Sequence, residues 1–292
     1  MADHNGVSMN GKVVVVTGGN AGIGKEAAVG LAREGATVVI TARDTDRGRA
    51  AIEEIRGRVD GADVEVMELD LASLASVHRF ADDVLDRYDR LDVLLNNAGL
   101  ILSQRAETED GFEVTFGVNH LGHFALTNRL LDRLRANAEG ARVVNVSSHA
   151  HKGARSGLDF DDLQSKRHYV GFRVYSKSKL ANLLFTLELS RRLADDAVTV
   201  NALHPGFVRS EFGRDGDARG AYALGLRLGA PFAISAERGA LTSVYLASSP
   251  EVDGVTGGYF FKCRPAQPSS AARDGDAAHR LWDISAELVG MA

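Results

Sequence analysis

Short apolar runs alternate with longer stretches of helical character along most of this chain, and that alternation leaves few folds open. The runs are Val13-Val14-Val15-Val16, Thr37 to Thr41, Val64 to Leu69, Leu91 to Leu95, Arg142 to Val146 and Val198 to Leu203. Between them the pattern predicts helices over Gly24–Glu34, Asp44–Arg58, Ser73–Tyr88, Phe112–Ala136 and about Val174–Leu193. In the third of these, Val77, Phe80, Val84 and Leu85 recur at three- and four-residue spacing and share one face. Strand, helix, strand in repetition implies a parallel sheet with helices on both faces and right-handed crossovers. Strands covered on both sides read as continuous Val/Ile/Leu runs, as these do. Neither an internal repeat nor a linker rich in Pro, Gly and Ser divides the 292 residues, so one α/β domain over 1–292 is expected. Two segments break the rhythm, 150–172 and 209–233, both rich in glycine and charge. Each follows a strand end on the side where open α/β sheets bind ligands, which suits substrate loops or lids; plain surface insertions are the other reading.

Composition removes several function classes. The formal charge is -5 and no basic stripe is visible, which argues against nucleic acid and against an anionic membrane surface. One cysteine, Cys263, cannot form an internal disulfide, and no base is recognisable beside it. The opening residues lack a signal-peptide pattern and no apolar stretch is of membrane-spanning length, so a cytoplasmic protein without a membrane anchor is expected. His149 and His151 are read as surface residues, and His120 and His123 as packing or active-site rim. No His/Cys/carboxylate cluster has metal-ligand spacing, and no Gly-x-Ser-x-Gly elbow surrounds Ser148.

The first strand runs into Thr17-Gly18-Gly19-Asn20-Ala21-Gly22-Ile23-Gly24, and a helix follows. Glycines there allow a tight turn and close approach to a pyrophosphate, and the helix start offers free N–H groups to its charge. Strand, glycine loop and helix together point to a dinucleotide. Counting about 20 residues from the last glycine lands on Asp44, which would favour NAD(H). Judged from the strand itself, Ala42 holds the carboxylate position and Arg43 follows, which favours NADP(H) over NAD(H).

Tyr175 and Lys179 stand four apart at the start of a predicted helix and share its face. An ammonium beside a phenol favours the phenolate, making tyrosine an acid/base for moving a hydroxyl proton. The pair alone is an ordinary helix surface. Its context is Asn96-Asn97-Ala98-Gly99 and Ser147-Ser148 after two other strands, and Asn119 inside a helix, where asparagine is disfavoured.

At these residues the chain resembles the short-chain dehydrogenase/reductase family over roughly residues 10 to 260. Thr17-Gly18 to Gly24 is similar to its cofactor motif, Asn96 to Gly99 to its NNAG motif, and His204-Pro205-Gly206 to its later Pro-Gly turn. Asn119, Ser148, Tyr175 and Lys179 match its catalytic tetrad. The resemblance implies a Rossmann fold of strand order 3-2-1-4-5-6-7 and hydride transfer between nicotinamide and a carbonyl or alcohol. It implies Tyr175 as acid/base, with Lys179 lowering its pKa and holding the ribose. Ser148 would orient the substrate oxygen, with Ser147 as the alternative, and Asn119 would anchor a relay water. The cofactor contacts it implies are Gly18, Asn20, Gly22, Ile23, Gly24, Arg43, Asp70, Asn97, Ala98, Gly99, Tyr175, Lys179, Pro205, Gly206, Val208 and Ser210. The 27-residue gap from Ser148 to Tyr175 exceeds most members' and resembles the retinol dehydrogenase and WW-domain oxidoreductase-like branch. Vertebrate retinol enzymes usually carry an anchor, a difference that argues against a retinoid here. Apolar loop residues such as Leu102, Phe207, Phe212, Tyr222, Leu226 and Phe232 suit a lipophilic small molecule or a packed lid. The family's habit of pairing helices leaves a homo-oligomer open. Rival readings are a non-catalytic dinucleotide sensor, an NAD-preferring dehydrogenase, and a lyase or isomerase on the same fold.

Overall fold

Four valines in a row have no polar face to offer water, and all four are buried as β1 (Val13–Val16) at the centre of the sheet. A computed structural model describes residues 8–208 and 233–291. Because side chains alternate along a strand, β1 feeds two cores. Val13 and Val15 pack with Phe80, Leu94, Phe124 and Leu180; Val14 and Val16 pack with Ala28, Leu31, Ile40 and Leu246. The remaining strands are β2 (Thr37–Ala42), β3 (Val64–Glu68), β4 (Val93–Asn96), β5 (Ala141–Val146), β6 (Val198–Leu203), β7 (Tyr259–Phe261) and β8 (Arg264–Pro265). Their order is β3-β2-β1-β4-β5-β6-β7-β8, parallel throughout except for the β7–β8 pair. The expected order is therefore present and extended by one antiparallel edge strand. Lys262 and Cys263, at φ 51° and 57°, form the two-residue turn between β7 and β8. Pro265 is tolerated because β8 lies at the edge.

The β-face carrying Val14 is covered by α1 (Gly22–Arg33) and α2 (Thr45–Arg56). The other face meets α3 (Leu74–Arg87), and the expected helix over 112–136 is there in pieces. These are α4 (Val114–Phe116), a π turn (Gly117–Leu121), α5 (Gly122–Arg129) and α6 (Leu131–Arg135). Next comes α7 (Gly171–Arg192), which starts before Val174. The helix α8 (Ala236–Ser248) joins the first face, and α9 (Gly275–Leu288) lies over α7 on the second. Among the described residues no helix is long and apolar enough to cross a membrane.

The 150–172 segment is strapped down. Gln164 accepts from Glu113 N (2.7 Å) through its side chain and from Arg105 Nε (3.1 Å) through its carbonyl. Tyr169 donates from its hydroxyl toward Leu102 O and Glu113 Oε1, both at 3.2 Å. Glu113 is itself fully buried, because its carboxylate caps α4 by accepting from Thr115 N and Phe116 N. These bonds anchor the approach to α7, and with it the position of Tyr175.

Candidate active site

The glycine loop is drawn tightly against the end of β4. Gly18 is left-handed (φ 64°), and a Cβ on Gly24 would lie 2.4 Å from Gly18 O and 2.5 Å from Asn97 Nδ2. Thr17 staples the two segments: its Oγ1 accepts from Asn97 N (2.8 Å) and Ala98 N (3.0 Å), and Asn97 Nδ2 donates to its carbonyl (2.8 Å). The N-cap of α1 is Ala21, which has no side-chain oxygen to satisfy the first-turn N–H groups. Asn20 and Ile23 are half-buried beside that start. A close-packed glycine cradle opening onto uncapped donors fits a pyrophosphate.

At the end of β2, Ala42 is buried and Arg43 is exposed. Asp44 is the N-cap of α2, its Oδ1 accepting from Asp46 N (2.9 Å) and Arg47 N (3.2 Å). Asp70, just past β3, accepts from Ala72 N with Oδ1 (2.9 Å), which leaves Oδ2 for a ligand's donor. After β6 come Pro205 and Gly206, both half-buried, with Gly206 N donating to His204 Nδ1 (3.2 Å). Val208 pairs with Ile234 in a parallel bridge, so the described chain leaves and returns at one place. Ser210, with Phe212, Tyr222, Leu226 and Phe232, lies outside the described residues.

Asn119, Ser148, Tyr175 and Lys179 come from three different elements. Asn119 is fully buried in the π turn; its Oδ1 accepts from Leu100 N (2.8 Å), and its Nδ2 donates to Leu100 O (2.9 Å) and Ser178 Oγ (3.0 Å). Lys179 is buried on α7, its Nζ 3.1 Å from Val146 O and 5.8 Å from the centre of the Tyr175 ring. Desolvation lowers its pKa to about 8, which still leaves the ammonium largely protonated at neutral pH. A Cβ on Gly99 would sit 3.2 Å from both Asn119 Oδ1 and Lys179 Nζ, so the NNAG glycine, Asn119 and Lys179 converge on one point. Ser148 ends the β5 segment as N-cap of a 3-10 turn, accepting from Ala150 N at 3.1 Å. Its neighbour Ser147 is buried and donates to Lys179 O (2.7 Å), a scaffold bond between β5 and α7.

Some residues that hold this site were given other readings by sequence alone. His151 is fully buried rather than on the surface. Its Nδ1 donates to Ser148 O (2.7 Å) and its Nε2 accepts from Ser269 N (3.1 Å). For His120 the packing alternative holds: it lies among Phe116, Phe124 and Phe185 and meets Ser285 of α9 (2.8 Å). A buried ladder also crosses the sheet: Asn96 Nδ2 to Asn145 Oδ1 (2.8 Å), Asn145 Nδ2 to Thr186 Oγ1 (3.0 Å), Thr186 Oγ1 to Asn182 O (2.8 Å). Asparagines inside apolar strand runs were the available signal, since buried amides must be partnered.

Residues 12–159 match the family model described as short chain dehydrogenase. Human Retinol dehydrogenase 13 is 46% identical over 285 residues, covering 96% of this chain and 85% of its own. A solved protein from Mycobacterium paratuberculosis superposes with a TM-score of 0.77 at 39% identity, covering 97% of this chain and 95% of its own. The Pseudomonas aeruginosa RhlG/NADP active-site complex aligns at TM-score 0.68 and 27% identity, over 87% of this chain and 95% of the other. Matched by relatives along nearly its whole length, this chain belongs to the short-chain dehydrogenase family, whose members are oxidoreductases acting on CH–OH donors with NAD(P).

Proposed function

We propose that the chain interconverts a carbonyl and an alcohol with NADP(H), using Tyr175 to give and take the hydroxyl proton. The observation that carries this reading is Lys179, a buried ammonium 5.8 Å from the Tyr175 ring and paired with no carboxylate among the described residues. Burying such a charge costs stability, and a task at that place explains why it is kept. When bound, the nicotinamide supplies or accepts the hydride. The chain's own residues do the rest. The Lys179 charge favours loss of the Tyr175 proton. Ser148, whose oxygen accepts from Ala150 N, keeps its O–H to donate to the substrate oxygen. Asn119 spends its side chain on Leu100 and Ser178, so a relay water would be held by its carbonyl.

NADP(H) is favoured by Arg43, exposed at the end of β2, and by Asp44, whose carboxylate is committed to capping α2. Residues 150–172 form a fixed wall beside Tyr175, a reading supported by the bonds through Gln164 and Tyr169. A lipophilic alcohol or aldehyde is the substrate class that likeness to Retinol dehydrogenase 13 supports, together with Phe172 (46% exposed) and Phe207 (48%) on segments that flank the site. The test is a panel of aldehydes, ketones and alcohols assayed with both cofactors. Turnover with NADPH is expected to exceed that with NADH, and Arg43→Ala to erase the preference by weakening NADPH alone. An unchanged preference in Arg43→Ala removes Arg43 from the account; no turnover across the panel removes the reading itself.

A further inference from the structure

His123 stands in the first turn of α5, 3% exposed, and both of its ring nitrogens are used. Nδ1 lies 3.2 Å from Asn119 O. A carbonyl oxygen only accepts, so Nδ1 carries the proton. Burial lowers the imidazole pKa to about 3, so the ring is neutral and Nε2 is a bare acceptor. Thr17 Oγ1 lies 2.9 Å from that Nε2 and already accepts from Asn97 N and Ala98 N. Its own proton therefore goes to His123; the competing Leu95 O is farther, at 3.4 Å. The hydrogen bonds thus run in one direction: amides of 97 and 98, Thr17 hydroxyl, His123 ring, Asn119 carbonyl.

We infer that His123 is a positioning residue that ties the cofactor loop to the main-chain carbonyl of Asn119. The inference rests on the proposed relay role of Asn119. One end of the chain is Thr17, the residue that opens the glycine loop and holds the NNAG segment against it. The other end is the π turn, where the helical ladder is widened and the carbonyl's direction needs outside support. The His123 Nδ1–H fixes the direction of Asn119 O, the group on which the proposed relay water would sit. A core histidine kept for packing alone would have no need of both bonds, since an apolar ring would fill the same slot.

Two amide variants of the full-length protein separate the ends. His123→Asn keeps a short donor on the Asn119 side and gives up Thr17; His123→Gln reaches toward Thr17 and gives up Asn119. With NADPH and the best panel substrate, His123→Gln is expected to lower kcat about tenfold at little change in KM for NADPH, the cost of one lost buried bond. His123→Asn is expected to do the reverse, raising KM for NADPH about tenfold while kcat stays within about threefold. Equal losses in both variants, or lowered Tm with unchanged kinetics, would overturn the inference. A solvent proton inventory on kcat of the unaltered enzyme, run in parallel, tells the two failures apart. If one proton accounts for it, the relay reading fails and takes the inference with it; if several protons are in flight while His123→Gln leaves kcat unchanged, only the His123 inference fails. Nitrogen NMR of the His123 ring in the unaltered protein needs no variant. A neutral Nδ1–H tautomer whose Nε2 resonance moves on NADPH addition is expected, and a ring blind to NADPH contradicts the coupling.

Discussion

Adjacent serines divide their work at the end of β5. Ser147 is buried and spends its hydroxyl on Lys179 O (2.7 Å). Ser148 is half-buried, caps one short turn, and has its carbonyl held by His151. Ser148→Ala is therefore expected to lower kcat by on the order of 10²-fold while costing about 1 kcal/mol of stability, the scale of one cap. Ser147→Ala is expected to show the opposite balance, with the larger fall in Tm and the smaller loss of kcat. Steady-state kinetics beside thermal unfolding decides it, and a larger kcat loss in Ser147→Ala would exchange the two roles. The pair was legible as Ser-Ser after a strand. The resemblance singles out Ser148, but the bond that occupies Ser147 reaches α7, 32 residues further on, and has no local signature.

At the scale of elements, the run from 112 to 136 departs most from its sequence pattern. Apolar periodicity marks helix, but it does not reveal that Gly117–Leu121 closes as a π turn between α4 and α5. That turn carries Asn119 and His120, and His123 follows one turn later. His120 and His123 are buried, and desolvation lowers each pKa from 6.5 to about 3. Below pH 6.5 the unfolded chain takes up protons that these folded imidazoles refuse. Stability is thus full above that value and is lost as pH falls toward 3. For each histidine the loss by pH 5 is about 2 kcal/mol. His120→Phe, placed among three phenylalanines, is expected to flatten the fall in unfolding free energy between about pH 7 and 5 by roughly half the contribution of the pair. Denaturant unfolding at both pH values measures it; a slope equal to that of the unaltered protein would mean His120 already titrates in the fold.

Over the whole molecule, most of the sheet was legible because parallel strands covered on both faces are largely apolar, as β1 is throughout and β2, β5 and β6 are for most of their length. The edge was not. β7 is three aromatic residues and β8 two exposed ones, too short to show any period, and they are defined by pairing alone, Tyr259 and Phe260 with β6 and Phe260 and Phe261 with β8. The site draws on the ends of β1 through β6, on the π turn and on α7, so no single motif contains it. The motifs supply its residue types. The bonds that hold them, through Thr17, His123, His151 and Glu113, join positions far apart in the chain and have no local signature. In the proposed reading all of these bonds serve to place one proton-transferring phenol, and Tyr175→Phe removes its hydroxyl alone. With saturating NADPH and the best carbonyl of the panel, the variant is expected to bind NADPH within about threefold of the unaltered affinity and to lose on the order of 10³-fold in kcat. Turnover by Tyr175→Phe within about tenfold of the unaltered enzyme would contradict the account.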